Sequence, residues 1–485
     1  MAPSRLETIS FTTFYNIVNA EPRYAKTEYH GVDPTTGDPN WDVPVATAID
    51  VEDAVAAANK AFEQWKTTTW GYRTERIARF KDALEAYKEE MTDLLAKETG
   101  KPRQFAAAEV DNCFKFMDWH IGLKEPKGET YDLPEKYVVN KFVPLGVAAA
   151  ICPWNFPLLL SLGKVLPAVQ MGNAVIVKPS PFTPYTALKM VEIANQAFPP
   201  GLVQALGGDD KLGPMLVEHP DIHKISFTGS TATGKKVMAA AAKTVKRVTL
   251  EMGGNDACIV LPDADIAKVA PLVAMGAFFN TAQVCIASKR IYVHSSMYEP
   301  FLAALTAVTR SLKVGSSNDE GVMLGPVQNV MQYDKVKSFF RDAQEQGYKF
   351  ALGGSGDGDS SKGKGKGYFI NPAIIDNPPD DSYIVREEPF GPIVPVQKYE
   401  DLDDAVRRAN DTKQGLGATV FGKDEQLLQD VAERLEAGSV WVNTFPDPGP
   451  EAQFGGVKES GIGTEFGTMG VLAYANVKSI TTVKG

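Results

Sequence analysis

The sequence predicts an α/β protein built on parallel sheets with helices covering both faces. Three observations predict it. From residue 142 onward, short apolar runs alternate with segments of helical period. A second alternating block runs from 251 to 442. Outside both blocks, 124–140 and 471–485 are short, β-like stretches with no helical pattern. At roughly 150 residues per domain, a chain of 485 residues has room for about three domains and a core that needs no covalent staples.

Residues 50–110 read as helices. In 51–65, Val51, Val55, Ala58, Phe62 and Trp65 fall near one face, and 73–99 continues the pattern with a charged opposite face. The first alternating block then reads strand 147–152, helix 158–169, strand 175–178, helix 183–198, strand 203–206, helix 212–218, strand 224–227, helix 231–242 and strand 247–251. Residues 353–367 (GGSGDGDSSKGKGKG) have nothing to bury and read as an exposed flexible loop.

Composition excludes several classes. Apolar residues make up 44% and charged residues 23%, and the net charge of −10 offers no basic face for nucleic acid. The apolar stretch 142–177 is interrupted by Pro153, Asn155, Pro157, Lys164 and Pro167, so it does not read as a membrane span. Cys113, Cys152, Cys258 and Cys285 have neither metal-ligand spacing nor the density of a disulfide scaffold, so no metal site is expected. With no secretory signal at the start, the expectation is a cytosolic protein.

Five segments carry possible chemistry. Phe227-Thr228-Gly229-Ser230-Thr231 follows a strand and opens a helix, where backbone amides and a glycine admit a phosphate; taken alone, such a segment is more often a plain structural turn. Lys178 ends an apolar strand, where ligands bind in parallel sheets, or where a lysine simply meets solvent. Cys285, in NTAQVC, has polar neighbours, unlike Cys152 and Cys258 inside apolar strands. That suits a nucleophile whose thiolate loop amides or a helix N-terminus would favour. Glu251, followed by two glycines, suits a general base or a salt-bridged strand end. Asn155, between Trp154 and Phe156 and flanked by prolines, offers a neutral donor to an oxyanion, or is a turn residue.

Taken together, these segments resemble the aldehyde dehydrogenase superfamily. The resemblance rests on FTGST at 227–231, LEMGG at 250–254 and PWNFP at 153–157. It rests also on the cysteine 34 positions after Glu251, EEPFGP at 387–392 and FGGVKESG at 454–461. It runs from about residue 15 to the end. The resemblance implies a Rossmann-like parallel-sheet cofactor domain (1–123 and 141–250) and a second α/β catalytic domain (251–442). It further implies a small β oligomerisation element (124–140 and 471–485) and a return segment, 443–470, that closes the active site. By resemblance, Cys285 is the nucleophile, Asn155 the oxyanion donor and Glu251 the base that activates water. Lys178 and Glu388 bind ribose, Phe390 packs near the nicotinamide, and Trp154 and Ser230 lie on the pyrophosphate side. Ile151, Gly213, Phe227 and Gly229 complete the cofactor contacts, and Glu465 resembles a proton-relaying glutamate.

The cofactor is NAD or NADP, with a lean to NAD. NAD-preferring members often carry a glutamate three residues after the lysine, where this chain has Pro181, which neither accepts from ribose hydroxyls nor repels a 2′-phosphate. The expected substrate is an apolar aliphatic or aromatic aldehyde, with walls from 158–163, from around Cys285 and from 444–454. A homodimer or homotetramer without nucleic-acid or membrane partners is expected. Three alternatives are weighed. A coenzyme A-acylating relative would not need Glu251. A non-catalytic protein on the same scaffold would not need an intact Cys285, Glu251 and Asn155. A cysteine hydrolase would leave Lys178 and Glu388 idle.

Overall fold

A computed structural model describes residues 9–354 and 367–485. The Gly/Ser/Lys stretch read above as a loop lies outside the described residues except at 353, 354 and 367.

The first sheet has eight strands, in the order Glu21–Arg23, Asn16–Val18, Val203–Ala205, Ala174–Lys178, Val147–Ile151, Lys224–Thr228, Arg247–Glu251 and Gly461–Ile462. The five central strands are parallel. The chain steps outward from 147 to 203, then returns to the other side of the 147–151 strand. Strand order therefore reverses between Val147–Ile151 and Lys224–Thr228, the position where open α/β sheets bind ligands beyond their carboxyl ends. Register puts the carboxyl-terminal residues of four strands side by side: Ile151 opposite Lys178 and Phe227, and Thr228 opposite Glu251. Val175, Ile176 and Val177 are fully buried, each contributing roughly 1.5–3 kcal/mol of apolar burial, so these strand ends stand on a stiff base.

The second sheet has seven strands, in the order Phe350–Leu352, Ala373–Asp376, Ile393–Tyr399, Arg290–His294, Ala257–Val260, Gly417–Phe421 and Ser439–Val442. All are parallel except Phe350–Leu352. A third sheet is antiparallel: Ala475–Val483 pairs along its whole length with Lys136–Pro144, which pairs with Thr130–Asp132. The C-terminal strand Ala475–Val483 presents a free edge, and after Ala475 all of its residues are exposed.

Several element limits differ from the sequence reading. The helix expected at 51–65 starts at Ala48, because Thr47 and Asp50 form a reciprocal cap. The pattern at 73–99 is two helices, Trp70–Glu85 and Lys88–Thr99. Ile77, Phe80 and Leu84 stay in phase with Met91, Leu94 and Leu95 in the core, so periodicity hides the break. The helix expected at 183–198 is only Tyr185–Ala194, after Pro184. Residues 471–472 end a helix, Gly467–Leu472, rather than starting a strand, and the strand expected to end at 140 runs to Pro144. No helix among the described residues is long and apolar enough to cross a membrane.

Candidate active site

A cleft of about 340 Å³ opens at the switch point. Ile151, Trp154, Asn155, Lys178, Phe227, Gly229, Ser230, Cys285, Glu388 and Phe390 all line it. Gly213 and Glu251 do not. Gly213 sits just behind, where even a methyl group would come 3.9 Å from Lys178 Cε.

One end of the cleft suits phosphate and ribose. Ser230 caps the helix Thr231–Ala241, its hydroxyl accepting from the Thr233 amide at 3.3 Å, and the remaining first-turn amides of that helix face an anion favourably. Gly229 has no alternative there, since a Cβ would fall 2.6 Å from the Phe227 ring. The Lys178 ammonium is buried and has one hydrogen-bond acceptor, the carbonyl of Pro179 at 3.2 Å, and burial pushes its pKa down. A buried ammonium with spare donors beside a helix N-terminus fits the ribose and pyrophosphate of a dinucleotide.

At the other end stands Glu388, whose Oε1 accepts from the Gly254 amide at 3.3 Å and from Lys289 Nζ at 3.0 Å. Phe390 lies beside Trp154, ring centroids 5.4 Å apart and nearly perpendicular. Its backbone is left-handed, φ 50°, a conformation that costs a non-glycine residue on the order of 1–3 kcal/mol. Gln332 stabilises it by donating to the carbonyls of Pro389 and Phe390 at 2.8 and 3.1 Å.

The loop before Cys285 is also strained, with Asn280, Thr281 and Ala282 all at positive φ. Among the bonds that hold it are Thr281 Oγ1 to the Gly325 carbonyl at 2.9 Å, the Gln328 amide to Gln283 Oε1 at 2.8 Å, and Asn155 Nδ2 to the Gln283 carbonyl at 3.0 Å. An Asn carboxamide has two N–H donors, so one remains for the cleft. No helix begins at Cys285. Contrary to the sequence expectation, its surroundings disfavour the thiolate: burial, with Asp256, Glu388 and Glu251 adding, pushes the thiol up to about 12 against the pull of Lys289.

Glu251 is buried, and neither carboxylate oxygen has a hydrogen-bond partner among the described residues. Burial first, then the charge of Glu465, raise its pKa well above 4.5, while Lys164 opposes them. The return segment packs on it: Gly461 pairs with Glu251, and the Ser460 hydroxyl donates to the Gly253 carbonyl at 2.6 Å. Behind it, the Lys164 ammonium pairs with Glu465 and donates to Thr228 Oγ1 at 2.8 Å, and Ser226 Oγ donates to Glu465 at 2.7 Å. The sequence does not single out Lys164, Gln332 or Lys289 as site residues. What marks each of them is a partner far away in the chain: Glu465 for Lys164, Pro389 and Phe390 for Gln332, and Glu388 for Lys289.

Away from the cofactor cleft, Phe279 of the nucleophile loop meets Phe105 at 5.1 Å and Phe156 at 6.3 Å. Lys101 Nζ lies 4.1 Å from the Phe156 ring centre and donates to the Asn155 carbonyl at 3.0 Å. The 444–454 loop docks on Gly276, where a Cβ would come 3.3 Å from Pro446 and 3.8 Å from Phe445.

Residues 21–480 match the family model described as the aldehyde dehydrogenase family. Among similar proteins, the FUS7 protein of Gibberella moniliformis is 44% identical over 98% of this chain and 100% of its own length. Aldehyde dehydrogenase LUC3 of a Fusarium species is 41% identical over 98% and 100%. Among solved structures, betaine aldehyde dehydrogenase from Staphylococcus aureus in complex with NAD+ superposes with a TM-score of 0.94 at 32% identity, covering 97% of this chain and 95% of that one.

Proposed function

Since this chain belongs to the aldehyde dehydrogenase family and oxidises an aldehyde to the carboxylic acid with NAD or NADP, we propose that Cys285 is its nucleophile, Asn155 its oxyanion donor and Glu251 its hydrolytic base. The observation that carries this reading is the meeting of Asn155 and Cys285 in one cleft with Lys178 and Glu388. NAD supplies the hydride acceptor when bound. Lys178 and Glu388 hold its two riboses, the amides after Ser230 its pyrophosphate, and Phe390 and Trp154 flank the nicotinamide end. Ile151, Gly213, Phe227 and Gly229 form the floor beneath it.

The Cys285 thiol gives up its proton to solvent, the resulting thiolate attacks the carbonyl carbon, and the free Asn155 N–H stabilises the developing oxyanion. Hydride loss leaves a thioester on Cys285. Glu251, whose dry site makes it a strong base once ionised, takes a proton from the attacking water. Glu465 and Lys164 lie behind it to pass the proton on.

The substrate we propose is an uncharged, apolar aldehyde. The half-buried Phe105, Phe156 and Phe279 supply an aromatic wall, and Lys101 already occupies one face of Phe156, which leaves that ring unsuited to a cationic substrate. The same reading divides the chain into a cofactor domain of 1–123 with 141–250, a catalytic domain of 251–442 and a closing segment of 443–470. It makes the 124–140 and 471–485 segments the contact of a homodimer or homotetramer, supported by their exposed Val477, Ile480 and Tyr137. A reducing, cytosolic compartment accords with four unpaired cysteines. The test is a panel of aliphatic, aromatic and trimethylammonium aldehydes, each assayed with NAD and NADP, with and without coenzyme A. Turnover only with coenzyme A, or preference for the cationic aldehyde, would overturn it.

A further inference from the structure

Lys289 follows the nucleophile by four residues and is almost wholly buried. Its ammonium donates to the Cys285 carbonyl at 2.5 Å and pairs with Glu388 Oε1 at 3.0 Å. Its own amide is anchored to the Asp256 carbonyl at 3.0 Å. The two partners belong to different segments, the strained nucleophile loop and the turn that carries Phe390. Space for the Glu388 carboxylate comes from Gly253, where a Cβ would lie 2.4 Å from Oε2. One cation therefore joins the loop bearing the reactive sulfur to the carboxylate at the nicotinamide end of the cleft, with little solvent to screen it.

We propose that Lys289 is a positioning residue for aldehyde oxidation: held between the Cys285 carbonyl and the Glu388 carboxylate, it fixes the nucleophile loop to the ribose-binding group and places positive charge beside the thiol. A lysine at this place has two consequences. Glu388 is held in place by the Lys289 ammonium and the Gly254 amide, ready to accept from ribose hydroxyls. The thiol, faced by the carboxyl groups of Asp256, Glu388 and Glu251, has Lys289 as the charge that opposes them. The proposal rests on the assignment of Cys285 and Glu388 made above.

The test uses Lys289→Met in the full chain. The first measurement is the pH profile of iodoacetamide alkylation at Cys285 without cofactor, with the modified peptide identified. The profile should move up by about one unit, a tenfold loss of thiolate at fixed pH. The second is NAD binding by calorimetry, which should weaken by about tenfold. A wild-type alkylation profile together with wild-type NAD affinity would overturn the proposal. Should Lys289→Met fail to fold, Glu388→Gln serves instead. It removes one carboxylate but leaves Lys289, so the alkylation profile should shift down; an unmoved profile overturns the coupling. If the wild-type enzyme is alkylated elsewhere than at Cys285, the nucleophile assignment itself fails, which separates the two readings.

Discussion

Asn155 Nδ2 donates to the carbonyl of Gln283 across 3.0 Å, so the proposed oxyanion donor also ties down the loop that carries the nucleophile. Asn155→Ala removes both functions. Turnover should fall by roughly 10²-fold or more, the usual cost of one lost oxyanion donor, and Cys285 should become easier to alkylate as its loop loosens. A loss smaller than about fivefold in kcat would mean that other donors hold the oxyanion.

Cys285→Ala should abolish oxidation and leave NAD binding within about twofold of wild type, because the proposed ribose and pyrophosphate contacts come from Lys178, Glu388 and the amides after Ser230. Calorimetry with NAD and a turnover assay check the two halves. Residual turnover above a few per cent of wild type contradicts the thioester route.

Glu251→Gln should slow thioester hydrolysis more than hydride transfer, giving a burst of reduced cofactor followed by slow turnover. Loss of the burst as well would assign Glu251 to thiol activation. Its raised pKa also predicts a pH effect on stability. A carboxyl that binds its proton more tightly when folded stabilises the protein below its unfolded value of 4.5, and that contribution is lost as pH rises toward the raised value. Glu251→Gln should therefore melt higher than wild type at about pH 8, with the gap narrowing as pH falls. Melting curves that coincide for mutant and wild type at about pH 8 would show that Glu251 does not bind its proton more tightly in the folded state.

Much of the site was legible because it lies at strand ends. Ile151, Lys178, Phe227 and Glu251 each close an apolar run, and a parallel register of buried strands brings such residues to one edge. The partners are harder to read. Lys164 sits in an apolar helix, and its mate Glu465 lies 301 residues away. Lys289, beside Arg290 at the start of a strand, looks in sequence like an ordinary charged boundary. The environment of Cys285 is hard to read for a related reason: its polar sequence neighbours mostly bond to backbone, while burial first, and then the charges of Lys289, Asp256, Glu388 and Glu251, decide its acidity.

Cofactor choice gives the last prediction. Pro181 and Asp210 line the same cleft as Lys178, so the adenosine end has no carboxylate at 181 but one at 210. A glutamate at 181 would accept from ribose hydroxyls and stand close to a 2′-phosphate. Two unit charges about 4 Å apart interact by about 4 kcal/mol at an effective dielectric of 20, and solvent would reduce this considerably. A net loss of about 1.4 kcal/mol is already tenfold in affinity. Pro181→Glu should therefore lower kcat/KM for NADP relative to NAD at least tenfold, and Asp210→Asn should change the ratio in the opposite direction. Wild type should show measurable NADP activity, since proline at 181 does not repel the phosphate. If wild type ignores NADP but Asp210→Asn accepts it, the charge at 210 excludes the phosphate and the argument from Pro181 is wrong.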